Sequence, residues 1–305
     1  MLSDFRFALR LFARSPLFAA AVVLVLGLGV GASTTVFTLV DAYLLKPLPY
    51  PEPERLAAIW RTQHHARRTN PFSVPDLLDV AEQAKSFSHV AALTEVELNL
   101  AGGAEAGPES VPASVVSAGF FPVLGVNAAL GRAFTADEDV PGRDQVVVLS
   151  DALWRRRFGA DPSVVGRTLT LDGEPFQVLG VMPPSFRAPS SLHATRPAEL
   201  WMPAALTREN AGSRNAHGWH LLARLRPGAS IEGADAEVGL IARRLEQTYP
   251  DTNTNKTFYA VSLQEHLVAA VRPSLTILFV ATLLLLVIAS ANVALLLMAR
   301  AAARE

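Results

Sequence analysis

Three glycines at alternate positions, Gly27, Gly29 and Gly31 in LVLGLGVGASTTVF, have the look of a phosphate cradle. Such a loop works because bare N–H groups converge on an anion at a helix N-terminus. The Walker form needs Lys and then Ser or Thr after its last glycine, and the chain continues Ala32, Ser33, Thr34. The dinucleotide form needs a third glycine shortly after Gly31, inside a βαβ unit, and none is there. The histidine clusters are His64-His65 and the pair His217 and His220 in HGWH; Gly218 argues against helical presentation, and no neighbouring Asp or Glu completes a ligand set. Glu95 and Glu97 alternate as on a solvated strand face. There is no cysteine, which excludes thiolate catalysis, disulfides and Cys-ligated metal. No Gly-x-Ser-x-Gly elbow or His-Glu-x-x-His helix occurs. The reading assigns no catalytic residue, no cofactor and no metal.

The glycines sit instead in a segment, Ser15 to Val40, with no charged residue or histidine. About 20 apolar residues span a bilayer. Leu, Phe and Val at roughly −0.3 to −0.6 kcal/mol each favour insertion, and no central charge opposes it. In a spanning helix Gly27 and Gly31 form one small-xxx-small pair and Gly29 with Ser33 a second beside it, so both are candidates for close helix packing. The small residues Val30-Gly31-Ala32 also suit signal cleavage, but the apolar run continues past Ala32, beyond the length of a signal peptide's apolar region. A second uncharged run lies between Arg272 and Arg300. Asn292 stands within it, and an amide in hydrocarbon needs a partner, so it is expected to face another helix.

These two runs bracket a segment of ordinary globular composition long enough for a core. Net charge is −1, which gives no field for nucleic acid. Arg6, Arg10 and Arg14 precede the first span and Arg300 and Arg304 follow the second, against Lys46, Arg55 and Arg272 on the other side. This bias places the termini in the cytoplasm and the central domain outside it. Arg6, Arg10 and Arg14 also recur every four residues, as on an interfacial helix over residues 1–15; a frayed basic terminus is the alternative.

Within the domain, KPLPYPEPER forces an extended path away from the membrane. A strand from Leu56 leads to a helix capped by Ser73 and then to the alternating strand VAALTEVELNL. DQVVVLS leads into a short helix capped by Ser150 or Asp151 and closed by Gly159, and Asp172-Gly173 turns a hairpin. A strand before Pro227-Gly228, a helix capped by Ser230 with apolar face Ile231, Ala234, Val238, Ile241, Ala242 and Leu245, and the strand TFYAVSL close the domain. The predicted class is an α+β membrane protein: transmembrane helices at 16–40 and 273–299 flanking an extracytoplasmic domain at 41–272. That domain is a split βαβ, porter-like unit at 55–125 and 217–265, with a β-rich insertion at about 126–216.

The segments SPLFAAAVVLVLGLGVGASTTVFTLVDAYLLKPLPYPEPERL, VGRTLTLDGEPFQVLGVMPPSFRAP, LLARLRPGAS, TYPDTN and NVALLLMARAAARE resemble ABC transporter permeases with a MacB-like periplasmic core domain and an FtsX-like membrane region. They look most like the duplicated orphan permeases of acidobacteria. The resemblance implies a chain of the bacterial inner membrane that relays motion from a cytoplasmic ABC ATPase to its outer domain, in an export or lipoprotein-handling system. It implies further permease helices or a second copy as partners, envelope proteins outside, and a dimer. Family members continue past the segment matching ARAAARE, so residues 300–305 read as the start of a truncated membrane region, and a truncated or split-gene chain unable to transport alone is expected. An FtsX-like regulator of a cell-wall hydrolase is the alternative; a membrane-tethered enzyme lacks an acid/base cluster.

Overall fold

The computed structural model describes residues 16–41, 46–63, 66–102, 107–189, 196–269 and 271–302. The proposed interfacial helix with Arg6, Arg10 and Arg14, and also His64, His65 and Arg304, lie outside the described residues. In chain order the elements are α1 (Pro16–Val40), β1 (Leu56–Gln63), β2 (Ala66–Asn70), β3 (Phe72–Ser73), α2 (Val74–Gln83), β4 (Phe87–Leu100), β5 (Glu109–Val116), α3 (Phe120–Leu124), β6 (Leu130–Gly131) and β7 (Val146–Leu149). They continue as α4 (Asp151–Phe158), β8 (Thr168–Leu171), β9 (Glu174–Val181), β10 (Leu200–Pro203), β11 (His217–Leu225), α5 (Ile231–Thr248), α6 (Pro250–Asn253), β12 (Lys256–Ser262), α7 (Leu263–Ala269) and α8 (Arg272–Ala302). The chain forms two compact units, Leu48–Leu267 and the segments flanking it.

In the flanking unit, α1 and α8 are long and apolar enough to cross a membrane, with mean hydropathy 2.0 over Val22–Val40 and 2.5 over Arg272–Leu295. Val22, Gly29 and Val36 are buried on α1, and Thr282, Ala289 and Val293 on α8. Spacings of seven and four keep those residues on one stripe of each helix, the pattern of two helices packed along a seam.

The Leu48–Leu267 unit is a mixed α and β fold built from one sheet. Its first four strands run in the order β12-β1-β11-β4. β1 pairs antiparallel with both β11 and β12, and β11 pairs antiparallel with β4. The two halves, β1-α2-β4 and β11-α5-β12, therefore interleave. The helices α2 and α5 cover one face because Leu77, Val80, Ala234, Val238, Ile241 and Leu245 bury against Ala57, Ile59, Phe72 and Phe258. On the other face α3 packs Phe120, Phe121, Val123 and Leu124 with Trp60, Leu93, Leu222 and Trp201.

The sheet does not stop at β4. β5 pairs antiparallel along its end from Leu93 to Leu100, and β10, β7, β9 and β6 follow in that order. This half has its own core, in which α4 contributes Leu153 to Val147, Leu149, Val178 and Leu200. Local chemistry sets the boundaries: Ser73, Ser150 and Ser230 accept the N–H groups of Asp76, Leu153 and Gly233, caps worth about 1 kcal/mol each. Asp172 and Gly173, at φ 48° and 90°, make the tight β8–β9 turn. Gly180 is needed for packing: an added Cβ would lie 2.5 Å from the carbonyl oxygen of Arg132. At the β12 edge, Asp235 of α5 accepts the Ala260 N–H at 2.9 Å.

Candidate functional site

The glycine faces of α1 are not equivalent. A Cβ on Gly29 would meet Leu286 at 3.4 Å and Ala289 at 3.5 Å, and the Ser33 hydroxyl donates to the Thr282 carbonyl at 3.4 Å. Gly29 and Ser33 thus lie on the seam with α8. Around Gly27 and Gly31 no atom of the described residues comes within 4 Å of an added Cβ. Asn292 is exposed on α8, so α1 is not the helix that covers it. The backbone of Arg300 continues α8; its side chain lies outside the described residues.

Where the chain enters the large unit, the proline-rich stretch is clamped. The Arg224 side chain, only 6% exposed on β11, donates from Nε to the Val123 carbonyl at 2.7 Å and from Nη2 to the Pro51 carbonyl at 3.0 Å. Its carboxylate neighbour Glu52 is 3.8 Å away. One guanidinium, planar and with five donors, thereby holds β11, α3 and the connector together. Arg55 adds a bond from Nε to the Leu225 carbonyl at 2.9 Å, and the Tyr50 hydroxyl donates to the Arg187 carbonyl. Burial pushes the Tyr50 phenol well above its ordinary range, so it stays a donor.

A second buried polar cluster lies on the α2 side. Arg214 bridges Asp76 at 2.6 Å and Asp79 at 2.7 Å, and its guanidinium stacks 3.7 Å from the Tyr249 ring centre. Asp76, fully buried in the first turn of α2, also accepts from Asn253 at 3.0 Å and lies 3.8 Å from the Lys256 ammonium. Desolvation pushes Lys256 down, against the pull of Asp76. His217 is pushed down by burial and then by the cations Arg61 and Lys256. The cluster ties the 204–216 return segment to α2, α6 and β12. Arg214, Asp76, Asp79 and Lys256 each have an opposite partner, and Arg61 is held by the Pro71 carbonyl, so the cluster reads as a structural junction.

His220 lies on β11 beside Trp60, with ring centres 5.3 Å apart, and His266 on α7 sits 4.6 Å from the same indole. Glu97 pairs with Arg196 at 2.8 Å on the surface. Among the described residues no group of three or more His, Asp or Glu is placed to hold a metal ion. The sequence reading missed both arginine junctions. The available signal was a lone arginine inside the apolar run LLARL, and the pair Asp76 and Asp79 three apart on one helical face.

Residues 19–240 match the family model of the MacB-like periplasmic core domain. The chain belongs to this family. The macrolide export ATP-binding/permease protein MacB of Burkholderia pseudomallei is 42% identical over 62 residues, 20% of this chain and 9% of that protein. Its counterpart in Burkholderia thailandensis is 34% identical over 84 residues, 28% of this chain and 12% of that protein. The chain thus spans a small fraction of the length of these curated relatives. The crystal structure of the periplasmic region of MacB from Actinobacillus actinomycetemcomitans shares the fold, with TM-score 0.50 at 16% identity over 72% of this chain and 92% of that one. Arg224, Pro51 and Val123 of the clamp, and Arg214, Asp76 and Asp79 of the second junction, lie within the matched residues, whereas Tyr249, Asn253 and Lys256 lie beyond them.

Proposed function

We propose that this chain is the permease component of an ABC-type export or lipoprotein-handling system, and that it works as a mechanical relay. ATP hydrolysis lies in a separate cytoplasmic ATPase, and the chain itself performs no catalysis. Its two apolar helices sit in the inner membrane with the core domain on the extracytoplasmic side. A second copy or further permease helices cover the face carrying Asn292.

The observation that carries this reading is the Arg224 clamp. A connector that is to pass on a displacement must not flex, and this one has fixed prolines and is bonded at Pro51, Tyr50 and Arg55 to separate parts of the core domain. On the other side β12 runs into α7, and only two residues separate the end of α7 from the start of α8. Family membership supports the same assignment, since the relatives are named as permeases.

The test is co-purification of the chain from native membrane followed by reconstitution with the ATPase that accompanies it. Spin labels on the core domain are expected to change separation on ATP addition, and Arg224→Ala to abolish that change while leaving ATP hydrolysis intact. A chain that purifies without any ATPase, or a core domain unmoved by ATP, would count against the relay.

A further inference from the structure

An open cleft of 210 Å³ lies between α2, the sheet and the segments that follow β5 and β10. Its walls are apolar: Leu77 and Leu78 from α2, Val90 and Ala92 from β4, Leu221 from β11, and Leu206. Leu77, Ala92 and Leu221 are buried, whereas Leu78, Val90 and Leu206 are half-buried and line the opening. The volume is below the ~300 Å³ at which drug-sized pockets begin, so the cleft suits a small ligand.

One carboxylate, Asp139, belongs to this lining. Its Oδ2 accepts the Ala118 N–H and its Oδ1 the Ala205 N–H, both at 2.7 Å. These two bonds join the two segments at the cleft, the Ala204 N–H adds to them, and the carboxylate's four acceptor sites are not all taken up. The donors are neutral, and among the described residues Asp139 makes no ion pair. Asp144 adds a second negative charge to its surroundings. Other carboxylates of the domain are held by a cation, as Glu199 is by Arg156 and the buried Asp79 by Arg214. Asp139 thus has backbone hydrogen bonds but no ion pair among the described residues, in a cleft whose other side chains, Ser117 apart, are apolar.

We infer that this cleft binds a small organic ammonium ion, with its apolar body against Leu78, Val90 and Leu206 and its N–H groups on Asp139. A charged donor on a partly desolvated carboxylate makes a stronger bond than a neutral one. A metal ion is disfavoured, because a single carboxylate supplies too few ligands. The assignment does not depend on the relay reading, because it concerns recognition in the isolated resting chain.

The test uses the full chain in nanodiscs of zwitterionic lipid, with empty nanodiscs as the blank, and fluorine NMR of para-fluorobenzylammonium against its neutral isostere para-fluorobenzyl alcohol. Saturable binding of the cation is expected, with the alcohol at least ~10-fold weaker. Asp139→Asn keeps the shape and one acceptor and is expected to remove that preference. Should Asp139→Asn disturb the fold, Ala81→Phe gives the independent answer: Ala81 is exposed and lines the cleft from α2, so its replacement fills the cleft while leaving the carboxylate in place, and it is expected to abolish binding. Binding should also weaken as acid neutralises Asp139, whose carboxyl burial holds above its ordinary range. Equal binding of alcohol and cation, absence of saturable binding, or full binding by a folded Ala81→Phe chain would each overturn the assignment.

Discussion

The Nε of Arg224 on β11 donates to the carbonyl oxygen of Val123 at the end of α3, 101 residues earlier in the chain, at 2.7 Å. That bond and its neighbour to Pro51 make the connector part of the core domain. Arg224→Met should keep the volume but orphan both carbonyls, and a hydrogen bond to a charged group contributes about 1.5–3 kcal/mol. The expected loss is about 3 kcal/mol in urea unfolding of the Leu48–Leu267 unit. Tryptophan fluorescence reports on that unit alone, because Trp60, Trp154, Trp201 and Trp219 all lie within it. A loss under about 0.5 kcal/mol, the range of an ordinary surface change, would remove the clamp from the account.

Arg214 should behave differently from a surface arginine. Arg214→Met leaves Asp76 and Asp79 buried with less compensation, and breaking a buried pair by removing one partner costs about 3–5 kcal/mol. Neutralising the acids together with it, in the triple change Arg214→Met, Asp76→Asn, Asp79→Asn, is expected to recover much of that loss, because no uncompensated carboxylate remains. Additive losses in that unfolding series would show that the cluster is not a single junction.

Much of this architecture is readable from local residue chemistry. Ser73, Ser150 and Ser230 start their helices as the capping rule requires, and Asp172-Gly173 makes its turn. The apolar stripe of α5 is buried from Ala234 to Leu245, with Ile231 at its edge. What local chemistry does not contain is the partner of a long-range bond. Arg224 meets carbonyls, which every residue has, so no pattern in the sequence marks Val123 or Pro51 as its acceptors. Likewise alternate glycines announce close packing, but which of the two faces meets α8 depends on side chains of α8, Leu286 and Ala289, far along the chain. The Asp139 cleft combines residues from six separate stretches of the chain and has no linear signature.

The two glycine faces give a paired test in the membrane. Gly29→Ile would push a branched side chain into Leu286 and Ala289, overpacking that costs about 1–3 kcal/mol, whereas Gly27→Ile adds bulk where no described atom is near. The chain has no cysteine, so a Ser33→Cys, Thr282→Cys pair can be crosslinked without background. Crosslinking should fall several-fold with Gly29→Ile and stay near the parent level with Gly27→Ile. The reverse order would mean that α1 presents its other face to α8.

Mild acid should weaken the core domain through its histidines. His266 is held below its ordinary value near 6.5 by burial and then by His220, and His217 by burial and then by Arg61 and Lys256. The unfolded chain therefore binds protons at a higher pH than the folded one, and stability falls as pH drops below about 6.5. His266→Gln, which cannot take a proton there, should flatten that slope. Glu138 acts in the same direction at lower pH: its bond from Arg132 depresses it to about 2, so its contribution is present above the ordinary carboxylate range and is lost as pH falls towards 2. Stability that rises between pH 7 and 5 would contradict the burial of both imidazoles.

The central claim is that displacement of the membrane helices reaches the core domain through the clamped connector. The most direct measurement is the separation of two spin labels on the core domains of neighbouring copies, by pulsed electron resonance in nanodiscs with the co-purified ATPase, with and without ATP. The account predicts an ATP-dependent shift in the parent chain that disappears in Arg224→Ala while hydrolysis continues. A shift of equal size in Arg224→Ala, or none in the parent, would contradict it.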